Sequence, residues 1–216
     1  MVLSGFLFLF ILVLVIVMAS LGYLMENDNY DPDTDLQNIN KDPKKFKIGF
    51  MLALIHNGSV IALTILLFNA FSPYNLILGI VLLISRIGEG LILYINDSNY
   101  WGFLNIAKKY SYSDGAEKDS MSNLARNAFR TKNYRFKIAM TCWSIGTIAF
   151  SIVLVTSEVV SSIIGLLGIV AGILIGFQYG LKLVKHNSKI INTLGALFAI
   201  LFEVIIGGWL LFSPII

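Results

Sequence analysis

The sequence predicts an all-α, polytopic integral membrane protein, a single domain over residues 1–216 with six transmembrane helices plus one cytoplasmic amphipathic helix. Three observations predict it. The chain is 56% hydrophobic and only 13% charged, whereas soluble domains carry about a quarter charged residues. Six apolar stretches are long enough to cross the roughly 30 Å of hydrocarbon in a bilayer. Every lysine and arginine except Arg86 lies in loops, or at helix ends, that six spans place on one side.

The first span, Gly5 to Leu24, carries no charge and suits a position on the lipid-facing rim. It has no basic residue before it and no small-residue cleavage pattern, so it reads as a retained helix. The segment from Glu26 to Lys47 is acidic and then basic, and its Asn, Asp and Pro content predicts a loop. Asp42-Pro43 marks the start of the next helix, with proline at the first helical position. The second span covers 48–71, and the short link Ser72-Pro73-Tyr74-Asn75 leads into the third at 76–95.

The longest polar stretch runs from Asp97 to Arg135. Within it Asp114 and Glu117 have capping-box spacing, and Met121, Leu124, Ala125, Ala128 and Phe129 recur at helical intervals. That stripe predicts an amphipathic helix, about Gly115 to Phe129, lying along the cytoplasmic membrane surface. Spans four to six follow at 136–156, 159–181 and 194–212, the fourth and fifth joined by Ser157-Glu158. In the fifth, Gly168, Gly172, Gly176 and Gly180 form a small-residue stripe that predicts close helix packing.

Polar residues inside the spans are the candidate site. The third span is interrupted by Arg86 and Glu89, three residues apart and able to pair on one helical face. A charge near the bilayer centre costs about 2.5–3.5 kcal/mol, so both need a partner other than lipid. His56 in the second span lies at a similar depth, about 9–14 Å below the cytoplasmic surface at 1.5 Å of rise per residue. Glu203 in the sixth span is nearer the middle and has no basic residue in its own helix. Small residues share a face with each of these side chains, which directs them toward the bundle interior and a cavity open to the cytoplasm. His56, Arg86, Glu89 and Glu203 are therefore the expected intramembrane polar centre. An Arg86–Glu89 pair that only fixes packing is the competing structural reading. His56, Glu89 and Glu203 have no metal-site spacing, and no cofactor is indicated. The single cysteine, Cys142, excludes an internal disulfide and a multi-cysteine metal site.

The segment LGIVLLISRIGEGLIL, with Arg86 and Glu89, resembles the third helix of a prokaryotic family of small polytopic membrane proteins catalogued only as a domain of unknown function. The preceding SPYN link, the middle section WSIGTIAFSIVLV and the late LFEVIIGGWLLF are similar to that family too. The resemblance implies the architecture and points to Arg86, Glu89 and Glu203; it implies no activity. The function classes left open are a small transporter or proton-linked carrier, a membrane-embedded enzyme acting on a lipid-soluble substrate, and a non-catalytic assembly partner. No catalytic set is recognisable, which counts against the enzyme. The lipid bilayer is the expected partner, six helices are few for a carrier and suit a homo-oligomer, and nucleic acid is not expected because the basic residues flank the spans.

The basic residues put the three long loops in the cytoplasm of a prokaryotic cell and both termini outside its plasma membrane. Cysteine-accessibility labelling of Asn123→Cys and Ser213→Cys in intact cells is expected to modify position 213 alone. Labelling of position 123 from outside reverses the topology.

Overall fold

The computed structural model describes residues 1–23, 26, 30–157 and 159–212. Leu24 at the expected end of the first span, Asp28 and Glu158 in the links, and Ser213 lie outside the described residues. The helices are α1 (Val2–Ser20), α2 (Pro32–Lys41), α3 (Pro43–Phe71), α4 (Leu76–Tyr100), α5 (Phe103–Tyr112), α6 (Gly115–Ser157), α7 (Ser162–Leu183) and α8 (Lys189–Phe212). Six of them, α1, α3, α4, α6, α7 and α8, include stretches long and apolar enough to cross a membrane. Each packs on the next in chain order, and α8 closes back onto α1. The spans thus form a ring.

Caps fix where the helices begin. The Asp42 carboxylate accepts from the Lys45 amide at 2.9 Å, with Pro43 in the first turn of α3. Asn75 does the same for Leu78 at 3.1 Å and starts α4. Backbone contact closes the ring: a Cβ on Gly5 would stand 2.6 Å from the Gly207 carbonyl oxygen, so α1 and α8 touch where neither has a side chain. Phe8, Ile11 and Leu14 turn inward from α1, while Val13 and Ile16 face outward.

Three expectations need correction. The stretch 26–47 is not all loop, because α2 occupies its centre. Its start repeats the Asp-Pro signature of α3: Asp31 caps the helix, and Pro32 opens it. Leu36 and Ile39 hold it down, both buried in a core shared with Phe103, Ala125 and Phe129. The third span does not end near Ile95, because α4 continues to Tyr100 and buries Asn96 and Asp97 on its inner face. The amphipathic stripe at 121–129 is helical, but it is the first part of a 43-residue helix that runs into the fourth span without a break. At about 1.5 Å per residue such a helix is roughly 65 Å long, twice the hydrocarbon thickness. Its first half extends beyond the apolar stretch, with Ala125 and Phe129 packed against α2 and α5. The result is a small cap with its own core, set on one end of the ring.

The glycine stripe of α7 faces α6. A Cβ on Gly172 would lie 2.5 Å from Ile148 Cγ1, and Gly168 and Gly176 abut the hydroxyls of Ser151 and Ser144. Ser144 Oγ also donates to the Gly172 carbonyl at 2.7 Å, across the helix pair. At Gly180 an added Cβ would meet nothing within 4 Å, so the fourth member of the stripe lies beyond the contact. Gly172→Leu is expected to lower stability by about 1–3 kcal/mol through overpacking, while Gly180→Leu leaves the thermal unfolding temperature in detergent unchanged. Equal losses at the two positions are the outcome this packing does not allow.

Candidate functional site

The inner face of α4 carries the polar side chains. Arg86, Glu89, Leu93, Asn96, Asp97 and Tyr100 are all buried along it, at helical spacing, from inside the ring up into the cap. The elements packed against that face sort them into two groups.

The deeper group gathers α4, α6 and α8. Arg86 Nη1 stands 2.7 Å from Glu89 Oε2, with the two residues 6% and 2% exposed. They meet as charges, without the alignment of a hydrogen bond. The stem of Arg86 crosses α6 at Gly146, where an added Cβ would be 2.6 Å from Arg86 Cγ. Only the missing side chain leaves room for it. The guanidinium carbon then lies 5.8 Å from the centre of the Trp143 ring. Trp143 Nε1 donates to Glu203 Oε1 at 3.3 Å, which brings the sixth span to the same place. Arg86 acts electrostatically on both carboxyl groups, and Glu203 on Glu89. Arg86, Glu203, Thr147 and Phe150 line a cavity of about 10 Å³. That is the space of a single water. Leu82, Phe150 and Phe202, part of the packed core of the ring, wall this small cavity.

The second group lies toward the cap, and His56 belongs to it. His56 Nδ1 is 3.1 Å from Asn57 Oδ1, Asn57 Nδ2 donates to Asp97 Oδ2 at 2.9 Å, and the Tyr23 hydroxyl donates to Asp97 Oδ1 at 2.9 Å. A carboxylate only accepts, so Asn57 must present its amide nitrogen to Asp97 and its oxygen to His56. His56 Nδ1 therefore carries the hydrogen. Burial, reinforced by Asp97, pushes the Tyr23 hydroxyl well above the ordinary phenol range and keeps it a donor.

Above this chain sits Lys132 of α6, 2% exposed. Its ammonium is 3.7 Å from the centre of the Tyr100 ring and 4.5 Å from that of Tyr23, a cation–π arrangement in a water-poor site. Asp97 and Asp35 act on it electrostatically. Asp35 of α2 accepts from the Tyr100 and Tyr30 hydroxyls at 3.1 and 3.3 Å. Burial raises the Asp35 carboxyl above its ordinary range, against the pull of those two hydroxyls and of Lys132. Glu26 makes a further tie, pairing with Lys182 at 2.7 Å. Among the described residues two clefts flank Tyr100: one of about 520 Å³ beside Tyr23, Asp35 and Phe46, the other of about 210 Å³ beside Asn96, Lys132 and Arg135.

Arg86, Glu89 and Glu203 are thus brought together, and His56 bonds elsewhere. Asp97, Lys132, Tyr23 and Asp35 were not expected at the site. The periodicity of α4 carries the signal for Asp97, since 86, 89, 93, 97 and 100 mark one face, but the apolar run stops at Ile95 and hides it. No three His, Cys, Asp or Glu side chains converge as a metal-binding set among the described residues.

A ring of six apolar helices closed around a charged cluster defines a multi-pass membrane protein in contact with the lipid bilayer. The chain belongs to the family described as Domain of unknown function (DUF4386), whose model matches residues 3–213. No curated protein and no solved structure matches it.

Removing one partner of a buried ion pair costs about 3–5 kcal/mol, because the other charge is left alone. Arg86→Leu is accordingly expected to lower thermal stability sharply. Glu89→Gln added to it recovers more than Glu203→Gln does, since Glu89 holds the 2.7 Å contact. Recovery through neither carboxyl removes the pairing as a source of stability.

Proposed function

We propose that this chain is a small proton-linked membrane carrier whose polar centre is Arg86, Glu89 and Glu203, with His56 on its capped side. The charge count carries the reading. One guanidinium and two carboxyl groups meet within the ring, Arg86 and Glu89 buried and Glu203 half-buried, so two ionised carboxylates leave one negative charge uncompensated inside the membrane. That is expensive in hydrocarbon, and one proton or one small monovalent cation removes it. Glu89 holds the close contact with Arg86, whereas the hydrogen-bond partner of Glu203 is the neutral Trp143 indole. Glu203 is therefore the exchanging group, with the water-sized cavity beside it as the place from which a proton arrives.

The packed ring corresponds to a closed form in this reading, since a solute larger than water enters only when helices separate. The basic residues around the cap support a cytoplasmic position for it, with both termini outside the plasma membrane of a prokaryote. A homo-oligomer belongs to the same reading. The rival is an assembly partner that only uses the ion pair to fix its packing, and the fit of Arg86 against Gly146 favours it.

Proteoliposomes with an imposed potential and an internal pH-sensitive dye separate the two. A carrier gives proton uptake that Glu203→Gln abolishes while the unfolding temperature stays within a few degrees of the parent. Wild-type vesicles no leakier to protons than empty ones leave the assembly reading standing.

A further inference from the structure

The larger cleft lies outside the charged centre and has a different chemistry. It opens between the end of α1 at Leu21–Tyr23, the α2 face bearing Asn38, and the start of α3. Its volume, about 520 Å³, is that of a small-molecule site. One wall is aromatic: the Tyr23, Phe46 and Tyr100 rings lie 5.4–6.1 Å apart, centre to centre. The rim carries Lys41 and Lys45, and the carboxylates of Asp35 and Asp42.

The carboxylates are already engaged. Asp42 caps α3, and Asp35 accepts from two phenols. Lys41 and Lys45 are exposed, and neither pairs with an acidic group among the described residues. The free donors of the cleft are therefore two ammonium groups and the Asn38 amide, which suit an anion.

Position selects which anion. Lys45 stands one turn before Ile48 and two before Met51, which are 43% and 54% exposed on the membrane-facing side of α3. On α1, Ile16 and Val17 are exposed just before the cleft. The mouth thus lies where apolar outer surface gives way to charge, at the level of lipid headgroups. Basic pockets between spans at that level hold anionic headgroups.

We propose that this cleft binds the phosphate headgroup of an anionic phospholipid, with Lys41 and Lys45 on the phosphate, Asn38 on the headgroup hydroxyls, and the acyl chains along the outer faces of α1 and α3. The site is independent of the carrier reading.

The test uses the full chain, delipidated in detergent, and a fluorescent short-chain phosphatidylglycerol. The parent should bind it roughly tenfold or more tighter than the phosphatidylcholine analogue. Lys41→Gln with Lys45→Gln should abolish the preference, and each single substitution should reduce it. Lys44→Gln with Lys47→Gln removes the same charge from neighbouring positions outside the cleft and should leave the preference intact. Equal losses in the two double variants reduce the effect to general surface charge and overturn the site. Glycerol 3-phosphate competing as well as the lipid assigns the cleft to a soluble phosphate compound and overturns the lipid assignment. No preference in the parent overturns it outright.

Discussion

A guanidinium held inside a ring of apolar helices constrains everything that touches it. Arg86 is 6% exposed, so its charge must be met largely by side chains and its volume by a gap in the neighbouring helix. Glu89 meets the charge from one turn away, and Gly146 supplies the gap. Trp143 places an aromatic face near the cation and lends its N–H to Glu203. Three helices are thereby registered against one another by a single side chain. Apolar packing alone fixes register weakly in a membrane, because lipid tails are as apolar as leucine.

The same helix that carries Arg86 also joins the ring to the cap. One face of α4 holds an ion pair at its lower part and Asp97 and Tyr100 at its upper part. Asp97 receives Tyr23 from the end of α1 and Asn57 from α3, and Tyr100 reaches Asp35 on α2. Lys132 fills the space between those rings from α6. The polar contacts follow a gradient. Deep in the ring they are few and centred on one ion pair, and toward the cap they become a connected network bordered by the two clefts beside Tyr100.

Much of this was legible in the residues. Arg86, Glu89 and Glu203 stand out because a charge inside a long apolar run has few innocent explanations, and six such runs fix the spans. Asp97 and Lys132 were not legible, since they occur in polar stretches where a charge is normally solvated. Their burial depends on which cap helix covers them. The α2 helix is hard to read from the sequence although Asp31-Pro32 repeats the Asp42-Pro43 start; with Leu36 and Ile39 as its main apolar anchors, its stability comes from tertiary contact. The continuity of α6 was hidden by a change in pattern from amphipathic to wholly apolar near Phe136, although no glycine or proline interrupts 116–145.

That continuity places the chain under a counting rule. Phe129 faces the cap core and Gly146 faces Arg86, on one unbroken helix. Each residue of an α-helix advances the direction of its side chains by about 100°. One residue gained or lost between these positions would turn the cap-binding stripe away from α2 and α5 while the membrane half kept its place. Seven residues, close to two whole turns, would restore the phase to within about 20°. The interval between cap and charge is thus fixed in angle more strictly than in length, and drift in this part of the chain should proceed by substitution, with insertions confined to the links between helices.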